Sequence, residues 1–447
     1  MSNELRSQKQ YGALALLPLV IFLVLYIGVG LVFTMLGTKD AFQLLPRHVA
    51  IFIAIVIAWT CYDRKTPITQ KVKIFTENAG SSGIAELGLI LLLAGGFASA
   101  ASAMGGQEAM VNLGLSIIPP SLLIPGIFVM SAFVATSIGT STGTQAAFIP
   151  IGVAVAQAAD LNVAAAAAAA AAVIAGAYFG DNLSIISDTT IAATTGVGAK
   201  MKDKFKANFL IALPAAIITF IIYAIVGGTG HIKGDLSFNF IDVIPYLFVL
   251  IAAIAGMNVM LVLISGTVLT GIIGVARGNI GVFEWTSKIG EGMEGTFSIF
   301  LIAFLISGLV ALIRYYGGID WIVETMKKRA NGPKSAEYAM SFLSGLLSAA
   351  LVHNVVAIII SAPIAKELGQ MYKIAPKRMA SLLDIFAASA LMVLPHDSGM
   401  LMAEQFGHVS YFEVLKFSYY PLILILCAVI SIHIGMFRKQ KNNAVDE

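Results

Sequence analysis

Asp181, Asp188, Asp384 and Asp397 lie at interruptions of long apolar runs, or within a few helical turns of one. The interruptions are rich in polar groups: Asn182, Ser184, Ser187 and Thr189 in one, Thr140, Ser141 and Thr142 in a second, His353 and Asn354 in a third, His396 and Ser398 in a fourth. Carboxylate, hydroxyl and amide oxygens are hard ligands, suited to a hard cation such as Na⁺ and poorly suited to soft metals. The whole set is therefore a candidate cation- or substrate-binding site, with Asp181, Asp188 and Asp397 as candidate Na⁺ ligands. A charged, unpaired Asp at membrane depth costs about 2.5–3.5 kcal/mol or more, so each needs a partner, a proton or an ion. Desolvation favours the neutral form of a carboxyl group, which lets H⁺ and Na⁺ compete for one position.

Each group also has a structural reading. Ser and Thr in membrane helices often bond their own backbone or a neighbouring helix. Asp188, within Ser-Asp-Thr-Thr, is placed to cap the half-helix that follows. Asp384 can act as a buried partner of His396, and His353 can bond a carbonyl.

The elements that must hold these residues are membrane helices. Of 447 residues, 58% are hydrophobic and 12% charged, with a mean hydropathy of +0.87. That is about half the charged share of a soluble domain, so the chain is a polytopic membrane protein whose first partner is the lipid bilayer. The apolar runs predict spans at 11–36, 48–62, 84–104, 207–228, 241–256, 258–276, 297–316 and 416–437. The first is too long for a signal peptide, whose apolar core is about 7–15 residues. Between the spans lie two interrupted regions: a hairpin over 121–158 followed by a broken helix over 162–199, and a hairpin over 338–372 followed by a broken helix over 378–404. The breaks are expected at Gly180-Asp181-Asn182 and at Pro395 to Gly399. Nine consecutive alanines, Ala164 to Ala172, predict a close-packing face.

The chain repeats itself with a shift of 212 or 213 residues: Gly105-Gly106 falls on Gly317-Gly318, Ser131 on Ser344 and Pro150 on Pro363. Two further residues of slippage bring Gly180-Asp181 over the Pro395-His396-Asp397 break. Basic residues then orient the halves by the positive-inside rule. Arg6 and Lys9 precede the first span; Arg64, Lys65, Lys71 and Lys73, then Lys200, Lys202, Lys204 and Lys206, mark the cytoplasmic side of the first half. Lys327 to Lys334, Lys366 to Arg378, and Arg438, Lys439 and Lys441 mark it for the second. The expected fold is all-α: about ten transmembrane helices and two re-entrant hairpins in two inverted-topology five-helix repeats, residues 1–228 and 229–447, with both termini cytoplasmic in a bacterial inner membrane.

Several function classes fall away. A net charge of +3 argues against nucleic acid. Cys61 and Cys427 lie in apolar segments at opposite ends of the chain and support neither a disulfide framework nor a metal site. The chain has no phosphate-binding Gly-x4-Gly-Lys-Ser/Thr loop, so ATP is not its energy source. An intramembrane aspartyl protease built on Asp63 and Asp181 leaves the duplication without a role, and a passive channel is told from a transporter by ohmic single-channel currents in place of saturable exchange. Paired broken helices in corresponding positions of two halves instead point to the central site of a secondary transporter, with no cofactor beyond Na⁺ and H⁺ as coupling ions.

The string Gly180-Asp181-Asn182-Leu183-Ser184, continued by Ser187-Asp188-Thr189-Thr190, resembles the NhaC family of bacterial sodium/proton antiporters, itself similar to a larger ion transporter superfamily. The resemblance covers nearly the whole chain. It implies Na⁺/H⁺ exchange by alternating access, with Asp181, Ser184, Ser187, Asp188 and Thr189 in a binding role. Members commonly carry Lys after Gly-Asp, where this chain has Asn182. The same resemblance implies an alternative, a Na⁺-coupled transporter or exchanger of an amino acid or small carboxylate, which adds a small organic solute to the partners. Monomer and homodimer both remain open.

Overall fold

The computed structural model describes residues 10–36, 44–117, 119–159, 161, 164–184, 187–228, 237–255 and 257–438. Arg6, Lys9, Asn162, Lys439 and Lys441 lie outside them. The first part of the chain folds into α1 (Leu17–Met35), α2 (Arg47–Cys61), α3 (Ile68–Ala79), α4 (Ser82–Ala103), α5 (Gly106–Ile117), α6 (Leu123–Ile138), α7 (Ser141–Ala158), α8 (Ala165–Leu183), α9 (Asp188–Val197) and α10 (Met201–Val226). The rest forms α11 (Phe240–Ile254), α12 (Val259–Ala276), α13 (Val282–Tyr315), α14 (Gly318–Lys328), α15 (Pro333–Leu351), α16 (Asn354–Tyr372), α17 (Pro376–Leu391), α18 (Ser398–Gly407), α19 (Tyr411–Lys416) and α20 (Tyr419–Ile434). Among the described residues, eight helical segments are long and apolar enough to cross a membrane, and the chain is a multi-pass membrane protein.

The order of elements from α4 to α10 recurs from α13 to α20 with the short α19 added, and the backbone repeats with it. Gly105 and Gly317 both turn in the left-handed region, as do Gly139 and Val352 at the two hairpin tips. Thr140 and His353, the next residues, are both extended. Pro150 and Pro363 lie inside the outgoing arms. Ser131 donates to the Val173 carbonyl and Ser344 to the Leu383 carbonyl, each at 2.7 Å, so matching serines tie each incoming arm to its broken helix.

The breaks differ from the expected register. Gly180, Asp181 and Asn182 remain helical, and α8 ends at Leu183. Ser187 starts α9 with nearly the same dihedrals as Asp397 before α18, so Ser187, and not Asp181, is the counterpart of Asp397. All three residues are buried; Ser187 donates to the Asp181 carboxylate, and Lys204 and Asn208 donate to the Asn182 carbonyl at the helix end.

Elements from the two ends of the chain interlock: α18 packs on α7 and α8, while α9 packs on α16 and α17. α10 and α20 close this inner bundle, and α3, α4 and α13 form a panel beside it. Because apolar side chains gain little by leaving lipid, such packing depends on close backbone approach. The alanine run supplies it: Ala166 to Ala175 are buried along α8. A Cβ on Gly176 would stand 2.9 Å from the Ala132 nitrogen in α6. Gly176→Ala is expected to cost about 1–3 kcal/mol by overpacking. The check is a lowered unfolding midpoint in detergent; an unchanged midpoint would mean that α6 and α8 are not packed this tightly.

Three basic residues used to orient the chain are not free loop charges. Lys71, Lys204 and Arg378 are buried. Lys71 donates to the Trp59 and Tyr62 carbonyls at the end of α2, at 2.7 and 2.6 Å, an arrangement a run of loop lysines does not reveal. Lys200, Lys202 and Lys206 remain exposed.

Candidate cation-binding site

Both hairpin tips and both breaks open onto one cavity of about 370 Å³, between the inner bundle and the panel of α3, α4 and α13. Thr140, Ser141 and Thr142 reach it from the first tip, and His353 and Asn354 from the second. Asp181, Ser187, Asp188 and Thr189 reach it from the first break, and His396, Asp397 and Ser398 from the second. Asn182, Ser184 and Asp384 do not line it. The panel adds Asn78, Ser81, Glu86, Ser307 and Arg314, and α8 adds Tyr178.

The environments of the aspartates separate their roles. Asp181, in the last turn of α8, is buried and accepts a 2.5 Å hydrogen bond from Ser187 Oγ. Ser187 Oγ also lies 2.8 Å from Thr189 Oγ1, and Ser141 at the first tip interacts with the same carboxylate. Ser187 occupies the N-cap position of α9 without capping it, because its hydroxyl is committed to Asp181. Two elements from either side of the break and one hairpin tip therefore bring oxygens to one carboxylate.

Asp188 is the first residue of α9 and is exposed in the cavity wall, where it interacts electrostatically with His353. Asp397 is the residue that caps: its Oδ2 accepts from Gly399 N at 3.0 Å, and its Oδ1 accepts from Tyr178 OH at 2.7 Å. Asp188, expected to cap α9, is instead its first helical residue, and Ser187 takes the N-cap position; Asp397 caps α18 in the other broken helix. Among the described residues, no three His, Cys, Asp or Glu side chains converge as a metal-holding group, so the three aspartates are separate positions around a shared space.

The histidines also differ from expectation. Neither ring nitrogen of buried His396 has a hydrogen-bond partner, and its ring lies 5.9 Å from that of Phe22. Asp384 is not its partner; it pairs with Lys204 at 2.5 Å and accepts from Asn208 at 3.0 Å. Thr140 accepts from Gly143 N at 3.4 Å as the N-cap of α7, which leaves Ser141 and Thr142 as the first tip's other hydroxyls in the cavity. Asp63 is held outside the cavity, where Thr66 donates to it at 2.8 Å, and no two-aspartate protease centre forms.

The residues missed in the sequence share one cause. Glu86 lies near the start of α4, Ser307 within α13 and Arg314 in its last turn, and only the packing of α4 and α13 against the inner bundle turns them toward the site. Tyr178 directly precedes the Phe179-Gly180-Asp181 string, and its position was the one local signal available.

Broken helices whose ends converge with polar side chains on a cavity inside a multi-pass bundle are the architecture of a secondary transporter. Residues 1–228 and 236–438 match the Na⁺/H⁺ antiporter family. The chain belongs to that family; it is a transporter of Na⁺ and H⁺ and not an enzyme, as the NhaC resemblance implied. It is similar to the malate-2H(+)/Na(+)-lactate antiporter of Bacillus subtilis (strain 168), with 23% identity covering 96% of this chain and 98% of that protein. It is also similar to the Na(+)/H(+) antiporter NhaC of the same organism, with 25% identity covering 88% and 92%. The solved structure of the Alcanivorax borkumensis YdaH transporter aligns over 95% of this chain and 99% of that one, at 13% identity and a TM-score of 0.42.

Proposed function

We propose that Na⁺ and H⁺ exchange at Asp181 by alternating access, the cavity opening to one side of a bacterial cell membrane and then to the other. The observation that carries this reading is the oxygen cluster of Asp181, Ser187, Thr189 and Ser141 at the end of a half-helix. The C-terminal end of α8 carries partial negative charge that favours a cation, and the hydroxyls can turn their lone pairs toward Na⁺ or their protons toward the carboxylate. A protonated Asp181 has no charge with which to hold Na⁺, so one ion leaves when the other binds. Asp188 and Asp397 add negative charge to the same space. The interlocked bundle is the natural moving part against the panel of α3, α4 and α13, with the two repeats inverted in the membrane and both termini cytoplasmic.

Arg314 in the panel wall supports a second reading, because a guanidinium facing a cavity of this size suits a small carboxylate. The malate/lactate relative makes that chemistry relevant. In proteoliposomes with a trapped pH dye, an inward Na⁺ gradient is expected to make the lumen alkaline without any organic solute. A lumen pH that moves only when a small carboxylate is supplied would replace plain exchange by the second reading.

A further inference from the structure

A second buried polar cluster lies on the far side of the first break from the cavity. Lys204, from the first turn of α10, is 1% exposed and sends its ammonium inward. It donates to the Asn182 carbonyl at 2.8 Å and to Thr190 Oγ1 at 2.7 Å, and it pairs with Asp384 Oδ2 at 2.5 Å. Asn208, one turn further along α10, donates through Nδ2 to the same Asn182 carbonyl at 2.9 Å and to Asp384 at 3.0 Å. Thr190 in turn donates to the Ser184 carbonyl at 2.8 Å.

The position of these acceptors matters more than their number. Asn182 belongs to the last turn of α8 and Thr190 to the first turn of α9, so the ammonium bridges the interruption itself. Asp384 belongs to α17 in the other half of the chain. Unwound carbonyls at a break are natural ligands for a diffusible cation; here the Asn182 carbonyl is already held by a cation attached to the protein.

We propose that Lys204 is a positioning residue, a tethered cation that fixes the first break in the geometry that binds Na⁺. The proposal rests on Asp181 and Ser187 forming the Na⁺ site, because Asp181 directly precedes the stapled segment and Ser187 lies within it. With the ammonium in place, the distance from Asn182 to Thr190 is set, and with it the reach of Ser187 Oγ to Asp181. Asp384 is the counter-charge that makes a buried ammonium tolerable, and Asn208 holds that carboxylate in place. Because Nδ2 makes both of Asn208's bonds, its amide orientation is fixed by the network.

The test separates positioning from simple glue by removing both charges together. Lys204→Met with Asp384→Asn leaves no lone buried charge, so the double variant is expected to accumulate in the membrane. Its apparent KM for Na⁺ is expected to rise about tenfold, with a much smaller change in maximal rate, as the loss of one charge-assisted hydrogen-bond set implies. A folded double variant with the wild-type KM overturns the proposal. Should the double variant fail to accumulate, Thr190→Val removes one acceptor of the ammonium together with the bond to the Ser184 carbonyl across the same break, strands no charge, and is expected to raise the KM about threefold; an unchanged KM again overturns it. Asp181→Asn is measured alongside: if it keeps wild-type exchange, the Na⁺-site reading has failed, whereas a dead Asp181→Asn with a wild-type double variant means that only the staple has.

Discussion

Asp181→Asn is expected to lower Na⁺-driven proton exchange by about 100-fold or more while the protein still folds in the membrane. The amide has the shape of the carboxyl and can still accept from Ser187 Oγ, so packing around the end of α8 is kept. What it loses is the charge that attracts Na⁺ and the proton that replaces it, and one substitution therefore removes both halves of the exchange. Initial rates in proteoliposomes, with size-exclusion profiles to confirm folding, provide the measurement. A variant that exchanges at the wild-type rate would place the coupled site elsewhere. Asp397→Asn is expected to be milder, because Asn is also a good cap and can accept from Tyr178 and Gly399 as the carboxylate does.

The largest effect on stability is expected at Glu337. Its carboxylate, fully buried in α15, receives Arg438 at 2.9 and 3.1 Å and lies 3.4 Å from Arg378 in α17. Arg378 also donates to Ser431 in α20 at 2.8 Å, so three helices meet on two guanidinium groups and one carboxylate. Glu337→Ala strands Arg378 without a counter-charge and should cost about 3–5 kcal/mol, seen as a lower unfolding midpoint and poor recovery from the membrane. Replacing Glu337 and Arg378 together by Leu should restore most of that loss, because burying an ion pair gains little over apolar packing. If the double substitution is as unstable as the single one, the carboxylate acts through Arg438 and not through Arg378.

Much of the fold was legible because a bilayer leaves few choices. A long apolar run in lipid is most readily a helix, and the stretch 121–158 is indeed helical, as α6 and α7 with a turn at Gly139 and Thr140. The alanine face and the matched serines and prolines were readable for a similar reason, since small residues and helix breakers have few other uses there. The site was legible as a set of polar interruptions, and most of those side chains do line one cavity. Long-range pairing was not legible. Nothing local distinguishes Lys204 from Lys202 or Lys206 in its run, yet only Lys204 turns inward, because Asp384, some 180 residues later, lies opposite it. The same blindness assigned Asp384 to His396 and placed the first break at Gly180-Asp181-Asn182, where the helix in fact runs on to Leu183. Helix ends depend on what the last carbonyls can bond, and the Asn182 carbonyl bonds side chains from α10.

The central claim is that Na⁺ and H⁺ compete for Asp181. Equilibrium binding of radioactive Na⁺ to the purified protein, followed from acidic to alkaline pH, tests it without requiring transport. Binding is expected to tighten as pH rises, because fewer protons occupy the carboxyl, and to disappear in Asp181→Asn at every pH. Na⁺ binding that is independent of pH, or that survives Asp181→Asn unchanged, would contradict the account.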